Sequence, residues 1–144
     1  MICALMIGRG GSTGFPGKNT SLVLGRPLCE YPLLAASQSN SVDEIFVSTD
    51  SPDIQAVGQK YGAHHIERPA NLATSSALSD DVSVHGYGII KQHVLSLGQE
   101  LEMLVLLFAN AATQSVPVVN PEPKLTVIVR LPLPVIVAFP VILH

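Results

Sequence analysis

The sequence predicts an α/β domain built on a parallel sheet, on the basis of three observations. Short apolar runs alternate along the chain with segments of helical pattern, and a glycine-rich loop directly follows the first run. Hydrophobic residues make up 47% of the chain and charged residues only 13%, which is typical of strands that are buried on both faces. Strands that alternate with helices form parallel sheets, whose ligands bind beyond the carboxyl ends of the strands.

The predicted strands are four short apolar runs. Each is bounded by polar residues or by glycine, as expected for buried strands. In chain order they are "ICALMI" (2–7), "EIFVS" (44–48), "AHHIE" (63–67) and "EMLVLLFAN" (102–110). We therefore assign residues 1–113 to the α/β domain and treat residues 114–144 as an atypical tail.

Two helices are predicted between the first three strands. The first covers residues 27–39, where four side chains are expected to face inward: Leu28, Leu33, Leu34 and Ala35. The second begins at Pro52, with Asp50 or Ser51 as its N-cap, and stops at Gly62. Proline favours the first position of a helix, and glycine favours the position that follows the last helical residue.

A third helix is predicted from about Asp80 to Leu97, before the last strand. Its apolar side chains recur at nearly helical spacing and predict one buried face. Gly86 and Gly88 weaken the helix, because glycine has a low helix propensity. The predicted inward face consists of Val82, Ile89, Ile90, Val94 and Leu97.

The tail from Pro117 to His144 is rich in proline and almost free of polar residues. A membrane-spanning helix is disfavoured, because Arg130 lies within the segment and three prolines interrupt it, namely Pro132, Pro134 and Pro140. "TVIVR" (126–130) has the composition of a strand and is a candidate to join the sheet. The exposed apolar surface of such a tail favours self-association, so we expect a homo-oligomer.

Composition and charge exclude several other classes of protein. The net charge of −3 provides no basic footprint for nucleic acid. Cys3 and Cys29 are too few for a disulfide framework or a zinc site, and we expect them to be small buried residues. The amino terminus lacks the basic region and apolar core of a signal peptide, so we expect a cytoplasmic protein without a membrane span.

The loop "GRGGSTGFPGKN" (8–19) contains five glycines, and its only charged side chains are Arg9 and Lys18. Bare backbone beside two cations suits an anion of high charge, because amide groups can approach phosphate oxygens where no side chain intrudes. A Walker A loop is excluded by Ser12 and Asn19, which replace its first glycine and its last hydroxyl. A dinucleotide fingerprint is disfavoured by Thr13, which replaces its third glycine.

The same loop resembles the signature of the cytidylyltransferases that activate acidic sugars, such as the CMP-N-acetylneuraminate and 3-deoxy-manno-octulosonate cytidylyltransferases. The resemblance extends over roughly residues 1–113, because further segments are similar to the family in the expected order. These are "LGRPLCEYPLLAASQS" (24–39), "VDEIFVSTDSPDI" (42–54), "YGAHHIERPANLAT" (61–74) and, more loosely, "VLLFANAAT" (105–113).

The resemblance implies a Rossmann-like nucleotide-diphosphosugar-transferase fold and transfer of CMP from CTP to an acidic sugar, with release of pyrophosphate. Arg9 and Lys18 are implied to act in catalysis by holding the triphosphate, where preplaced cations stabilise the charge of the leaving group. The residues implied to contact the nucleotide are Gly8, Arg9, Gly10, Gly11, Ser12, Lys18, Asn19, Arg68, Ser79, Asn110 and Thr113.

The sequence departs from this family in two respects. Thr13 stands where the family usually has lysine, and the tail matches none of the family's carboxyl-terminal half, which holds its metal-binding aspartates. We therefore expect a truncated member, in which Mg²⁺ arrives with CTP and turnover is weak. Two alternatives remain open, a nucleotide-binding remnant or regulatory module and, less favoured, an NAD-type dehydrogenase domain.

The histidines do not predict a metal site. His64 and His65 are adjacent on a strand and point to opposite faces. His85 and His93 are eight residues apart on a helix and so about 12 Å from each other along its axis. We therefore predict no protein ligands for a metal.

Overall fold

The computed structural model describes residues 1–11, 14–109, 124–130 and 136–142. Eight strands and three α-helices are present in these ranges. The strands are β1 (Ile2–Ile7), β2 (Leu22–Val23), β3 (Arg26–Pro27), β4 (Glu44–Thr49), β5 (His64–Glu67), β6 (Met103–Phe108), β7 (Lys124–Arg130) and β8 (Ile136–Ile142). The helices are α1 (Glu30–Ser37), α2 (Pro52–Lys60) and α3 (Ser79–Ser96).

Six of the strands form one sheet in the order β5-β4-β1-β6-β7-β8. The four strands predicted from apolar runs are β1, β4, β5 and β6, and they pair in parallel, as expected. At the centre of the sheet, Leu5 lies beside Phe46 on one neighbouring strand and Leu106 on the other. Because the strands are parallel, the loops after β1, β4, β5 and β6 all leave from the same edge of the sheet.

The tail contributes β7 and β8 to the sheet. β7 pairs antiparallel with β6, and β8 pairs antiparallel with β7, so the predicted strand "TVIVR" is confirmed as part of the sheet. The sequence did not predict β8. In the described part of the chain, no helix combines the length and the apolar character needed to cross a membrane.

Helices cover both faces of the parallel strands. Alternate residues of β1 therefore enter two separate cores, because neighbouring side chains of a strand point to opposite faces. Ala4 and Met6 pack with α1 and α2, while Cys3, Leu5 and Ile7 pack with α3. The buried free thiols of Cys3 and Cys29 are part of these cores, which confirms the expectation for both cysteines.

The buried face of α3 differs in part from the predicted one. Val82, Ile90 and Val94 are buried, but the side chains of Ile89 and Leu97 are 39% and 51% exposed, so their predicted burial was wrong. Gly86 occupies the inward face instead, where an added Cβ would lie 2.5 Å from Leu5 Cδ2. Glycine at this position lets the helix approach β1 closely.

A short hairpin, β2 and β3, precedes α1 and was not predicted. Its two central residues, Leu24 and Gly25, have φ angles of 49° and 81°. Hairpin turns of this left-handed type favour asparagine and glycine. Leucine at the first central position therefore does not predict a turn. The inward face of α1 is also shifted, because Pro32 and Ala36 are buried whereas Leu34 and Ala35 are only half-buried.

Candidate functional site

The glycine-rich loop leaves β1 through a narrow gap between the ends of β4 and β6. The Gly8 amide donates to the carbonyl oxygen of Ser48 at 3.1 Å. A Cβ at Gly8 would lie 3.0 Å from Ala109 Cβ and 3.4 Å from Ile54 Cδ1. A larger residue would push the loop away from the sheet edge, which explains the glycine at this position.

Asp50 holds the next part of the loop. Its Oδ1 accepts a hydrogen bond of 2.9 Å from the Gly10 amide. The N-cap of α2 is Ser51, whose Oγ accepts from the Ile54 amide at 3.4 Å, and Pro52 takes the first helical position. Of the two N-cap candidates, Ser51 is therefore correct and Asp50 is not.

The far end of the loop is joined back to its beginning. Gly17 has a φ of 71°, which glycine adopts without strain, and a 3₁₀ turn from Lys18 to Thr20 follows it. Asn19 Nδ2 donates to the carbonyl oxygen of Arg9 at 3.0 Å. Asn19 Oδ1 is buried and accepts no hydrogen bond within the described ranges. The loop therefore has a fixed shape and retains an unused acceptor.

Arg68 is a buried cation at the end of β5. Its side chain is only 8% exposed, and Nη2 donates to the Ser48 carbonyl oxygen at 2.8 Å. Its Nε is buried and has no hydrogen-bond partner in the described part of the chain. Burial lowers the pKa of the guanidinium, the Asp50 carboxylate opposes this shift, and Arg9 adds to it. Arginine remains protonated at neutral pH even so, which leaves Arg68 as a cation with spare donors.

These elements enclose a cavity of about 230 Å³ at the carboxyl edge of the sheet. Arg9, Lys18 and Arg68 all line it, and none of its described lining residues is acidic. The first residue of α3, Ser79, also lines it. A wider space of about 680 Å³ shares Arg68 and Thr74 with this cavity. Three cations and a helix amino terminus around one cavity favour the binding of an anion.

The structure brings most of the predicted site residues together. Gly10 belongs to the same loop without lining the cavity, and Gly11 is exposed, where an added Cβ would meet no atom within 4 Å. Ser12, Asn110 and Thr113 lie outside the described residues. The predicted residues that line the cavity are Gly8, Arg9, Lys18, Asn19, Arg68 and Ser79. Their contacts with a nucleotide stay a prediction.

Sequence reasoning missed part of the cavity wall. Thr74 and Ser75 line the cavity, and the Thr74 carbonyl oxygen accepts from Arg9 Nη1 at 3.0 Å. This contact holds the Arg9 guanidinium at the wall of the cavity. The only sequence signal was the polar character of the loop after Arg68, which does not single out either residue.

Comparisons with known proteins all find cytidylyltransferases. A family model described as cytidylyltransferase matches residues 3–85. The N-acylneuraminate cytidylyltransferase of Escherichia coli is 36% identical over 106 residues, which are 74% of this chain and 23% of that protein. The pseudaminic acid cytidylyltransferase of Campylobacter jejuni is 35% identical over 104 residues, which are 72% of this chain and 43% of that protein.

A solved structure shows the same fold. It is CMP:2-keto-3-deoxy-manno-octonic acid synthetase complexed with CTP, with a TM-score of 0.55 and 21% sequence identity. The match covers 75% of this chain and 39% of that one. The chain thus spans less than half the length of each of these relatives.

Proposed function

Because this chain belongs to the cytidylyltransferase family, we propose that it binds CTP and serves the transfer of CMP to an acidic sugar, with release of pyrophosphate. The observation that carries this proposal is the cavity beyond β1, which Arg9, Lys18 and Arg68 line and whose described lining contains no carboxylate. Such a lining suits a triphosphate. Each phosphate oxygen that is removed from water needs a cation or an amide group as a new hydrogen-bond donor.

The proposed reaction forms a bond between a sugar hydroxyl oxygen and the α-phosphorus of CTP. The hydroxyl loses its proton to water, and the bond from that phosphorus to the oxygen that bridges to the β-phosphate breaks. Negative charge develops on the departing pyrophosphate. Arg9 and Lys18 lie where they stabilise that charge, since both line the cavity and Arg9 is held by the Thr74 carbonyl oxygen. Preplaced cations lower the barrier, because they need no reorientation during the reaction.

The lining of the cavity itself does not fit a Mg²⁺ ion held by the protein, and the carboxylates Asp50 and Glu67 line the adjoining wider space instead. Mg²⁺ prefers carboxylate and water oxygens, and the described lining contributes cations, amides and hydroxyls without a carboxylate. We therefore propose that Mg²⁺ enters as part of the CTP substrate, where it neutralises phosphate charge. The roles given above to Arg9 and Lys18 do not depend on it.

The relatives suggest the class of the acceptor. Their names refer to N-acylneuraminate, pseudaminic acid and, for a protein of Legionella pneumophila that is 48% identical over 62 residues (43% of this chain and 27% of that protein), N,N'-diacetyllegionaminic acid. All three names describe sugar acids. We propose an acceptor of the same class, to be identified by a panel of sugar acids assayed for pyrophosphate release.

Thermal unfolding in the presence of nucleotides tests the proposal. CTP with Mg²⁺ should raise the Tm by several degrees, because a ligand that binds only the folded state stabilises it by mass action. ATP and NAD at the same concentration should raise it much less. A larger shift with NAD than with CTP would overturn the proposal in favour of a dehydrogenase-type domain.

A second candidate function is a nucleotide-binding or regulatory module without turnover. It is favoured by the lack of carboxylates in the described cavity lining. Pyrophosphate release separates the two. We expect CTP binding with weak turnover, whereas CTP binding without any turnover across the sugar panel would favour the module.

Two further proposals concern the cellular location and the oligomeric state of the protein. We propose a cytoplasmic location, which the buried free thiols support because reducing compartments preserve them. We also propose a homo-oligomer, supported by the exposed leucines of the β2–β3 hairpin, Leu22 and Leu24. Light scattering coupled to size-exclusion chromatography measures the oligomeric state directly.

A further inference from the structure

A second group of chemically reactive side chains lies at the amino edge of the sheet, away from the cavity described above. Glu44 begins β4, His64 begins β5, and His93 lies in the last turn of α3. His93 Nε2 lies 2.8 Å from Glu44 Oε2, and His64 Nε2 lies 3.5 Å from the same oxygen. One potential ligand atom from each of the three residues falls within 4.8 Å of the others.

Packing orients the two imidazole rings. The Phe46 ring stacks on His64 at a centroid distance of 4.8 Å and meets the edge of His93 at 5.4 Å. The two histidine rings are 5.0 Å apart. Phe46 is itself buried in the core beneath α3. Both rings therefore rest on a fixed surface, with their Nε2 atoms directed to the Glu44 carboxylate.

We propose that Glu44, His64 and His93 bind a divalent first-row transition-metal ion, with Zn²⁺ as the best match. Two imidazole nitrogens and one carboxylate oxygen are ligands that Zn²⁺ prefers, whereas Mg²⁺ and Ca²⁺ prefer oxygen alone. Zinc bonds of about 2.0–2.2 Å place tetrahedral ligand atoms about 3.3–3.6 Å apart. The separation of 3.5 Å between His64 and Glu44 already fits, and the shorter contact of His93 opens slightly to admit the ion.

The cluster is partly open to solvent, which suits a site with a water as fourth ligand. The side chains of His64, His93 and Glu44 are 48%, 32% and 23% exposed, respectively. The ion reaches them from the surface without passing through the core. It would join the end of α3 to the starts of β4 and β5, three positions that are far apart in the sequence. This proposal is independent of the proposed nucleotide function.

The test uses the full chain without a histidine tag, stripped of metal with a chelator and titrated with ZnCl₂. We expect one Zn²⁺ per chain by calorimetry. At free Zn²⁺ about a hundred times the dissociation constant, the Tm should rise by about 5–10 °C. Co²⁺ in place of Zn²⁺ should give the visible absorption of a tetrahedral site. The cysteines should not interfere, because both thiols are buried within the hydrophobic cores.

Variants assign the effect to the three ligands. His93→Ala, His64→Ala and Glu44→Gln should each lose most of the Tm rise and weaken Zn²⁺ binding at least tenfold. His65→Ala is the matched control, since His65 neighbours His64 on β5 but points to the opposite face, towards the Thr49 carbonyl oxygen. This variant should keep the full Tm rise and the Zn²⁺ affinity of the parent chain. No binding by the parent chain, or equal binding by the parent chain and all three ligand variants, would overturn the proposal.

Discussion

The cavity at the carboxyl edge of the sheet and the histidine cluster at the amino edge present opposite chemistry. At the carboxyl edge, three cationic side chains line a cavity in which no described residue is acidic. At the amino edge, a carboxylate contacts two histidines, and no lysine or arginine takes part in the described contacts of that cluster. The first edge is suited to an anion and the second to a metal cation.

Helix α3 runs between the two edges and helps to explain the difference. Its first residue, Ser79, lines the cavity, and His93 near its end belongs to the histidine cluster. A helix of 18 residues spans about 27 Å. The amino end of a helix carries partial positive charge and the carboxyl end partial negative charge. One helix therefore favours an anion at one edge and a cation at the other.

Replacing Arg68 with methionine should have the largest effect on one edge of the sheet relative to the other. The change removes a buried guanidinium with spare donors while keeping much of its volume, so CTP binding should weaken by roughly a hundredfold. Calorimetry with CTP and with Zn²⁺ on the same protein measures the affinity of each edge for its ligand. Zn²⁺ affinity should be unchanged, and a parallel loss of both ligands would show general unfolding instead of a local role.

Replacing Lys18 with alanine should have the next largest effect. The loss of one charge-assisted phosphate contact costs about 1.5–3 kcal/mol, so CTP binding should weaken by roughly ten- to a hundredfold. CMP binding should change less, because the lysine is proposed to contact the outer phosphates. Equal CTP affinity of the parent protein and the variant would show that Lys18 does not touch the triphosphate.

Replacing Gly86 with alanine should have the smallest effect, and it should act on both edges together. The added Cβ would lie 2.5 Å from Leu5 Cδ2, which is buried, so the free energy of unfolding should fall by about 1–2 kcal/mol. Gly88→Ala on the same helix is the control, since a Cβ there has no neighbour within 4 Å and should stabilise the helix by up to about 1 kcal/mol. Thermal unfolding without ligand distinguishes them, and equal stability of the two variants would contradict the proposed packing role of Gly86.

The carboxyl edge could be predicted largely from the sequence because its loop is contiguous. Residues 8–19 carry the glycines and two of the cations in one segment, and apolar runs of the right length mark the parallel strands. The exceptions are Thr74 and Ser75 in the cavity wall and Asp50, whose bond to the Gly10 amide joins positions 40 residues apart. A helix cap was the simpler explanation for an aspartate just before Pro52.

The amino edge could not be predicted in the same way. His64 and His93 meet only because α3 crosses the sheet at a particular angle and β5 pairs with β4 in a particular register. Sequence spacing compares neighbours on one element, such as His64 with His65, and contains no information about the relative position of a strand and a distant helix. The hairpin turn at Leu24 was missed for a local reason, since leucine is unusual at positive φ.

The Ser48 carbonyl oxygen accepts two hydrogen bonds, one from the Gly8 amide and one from Arg68 Nη2. The loop and the guanidinium are therefore positioned by the same acceptor, whose two lone pairs serve one donor each. If an anion draws Arg68 away from Ser48, the Gly8 amide becomes the sole donor to that oxygen and its bond strengthens. Deuterium uptake at this one backbone position therefore becomes a reporter of where the arginine points, readable without any label on the ligand.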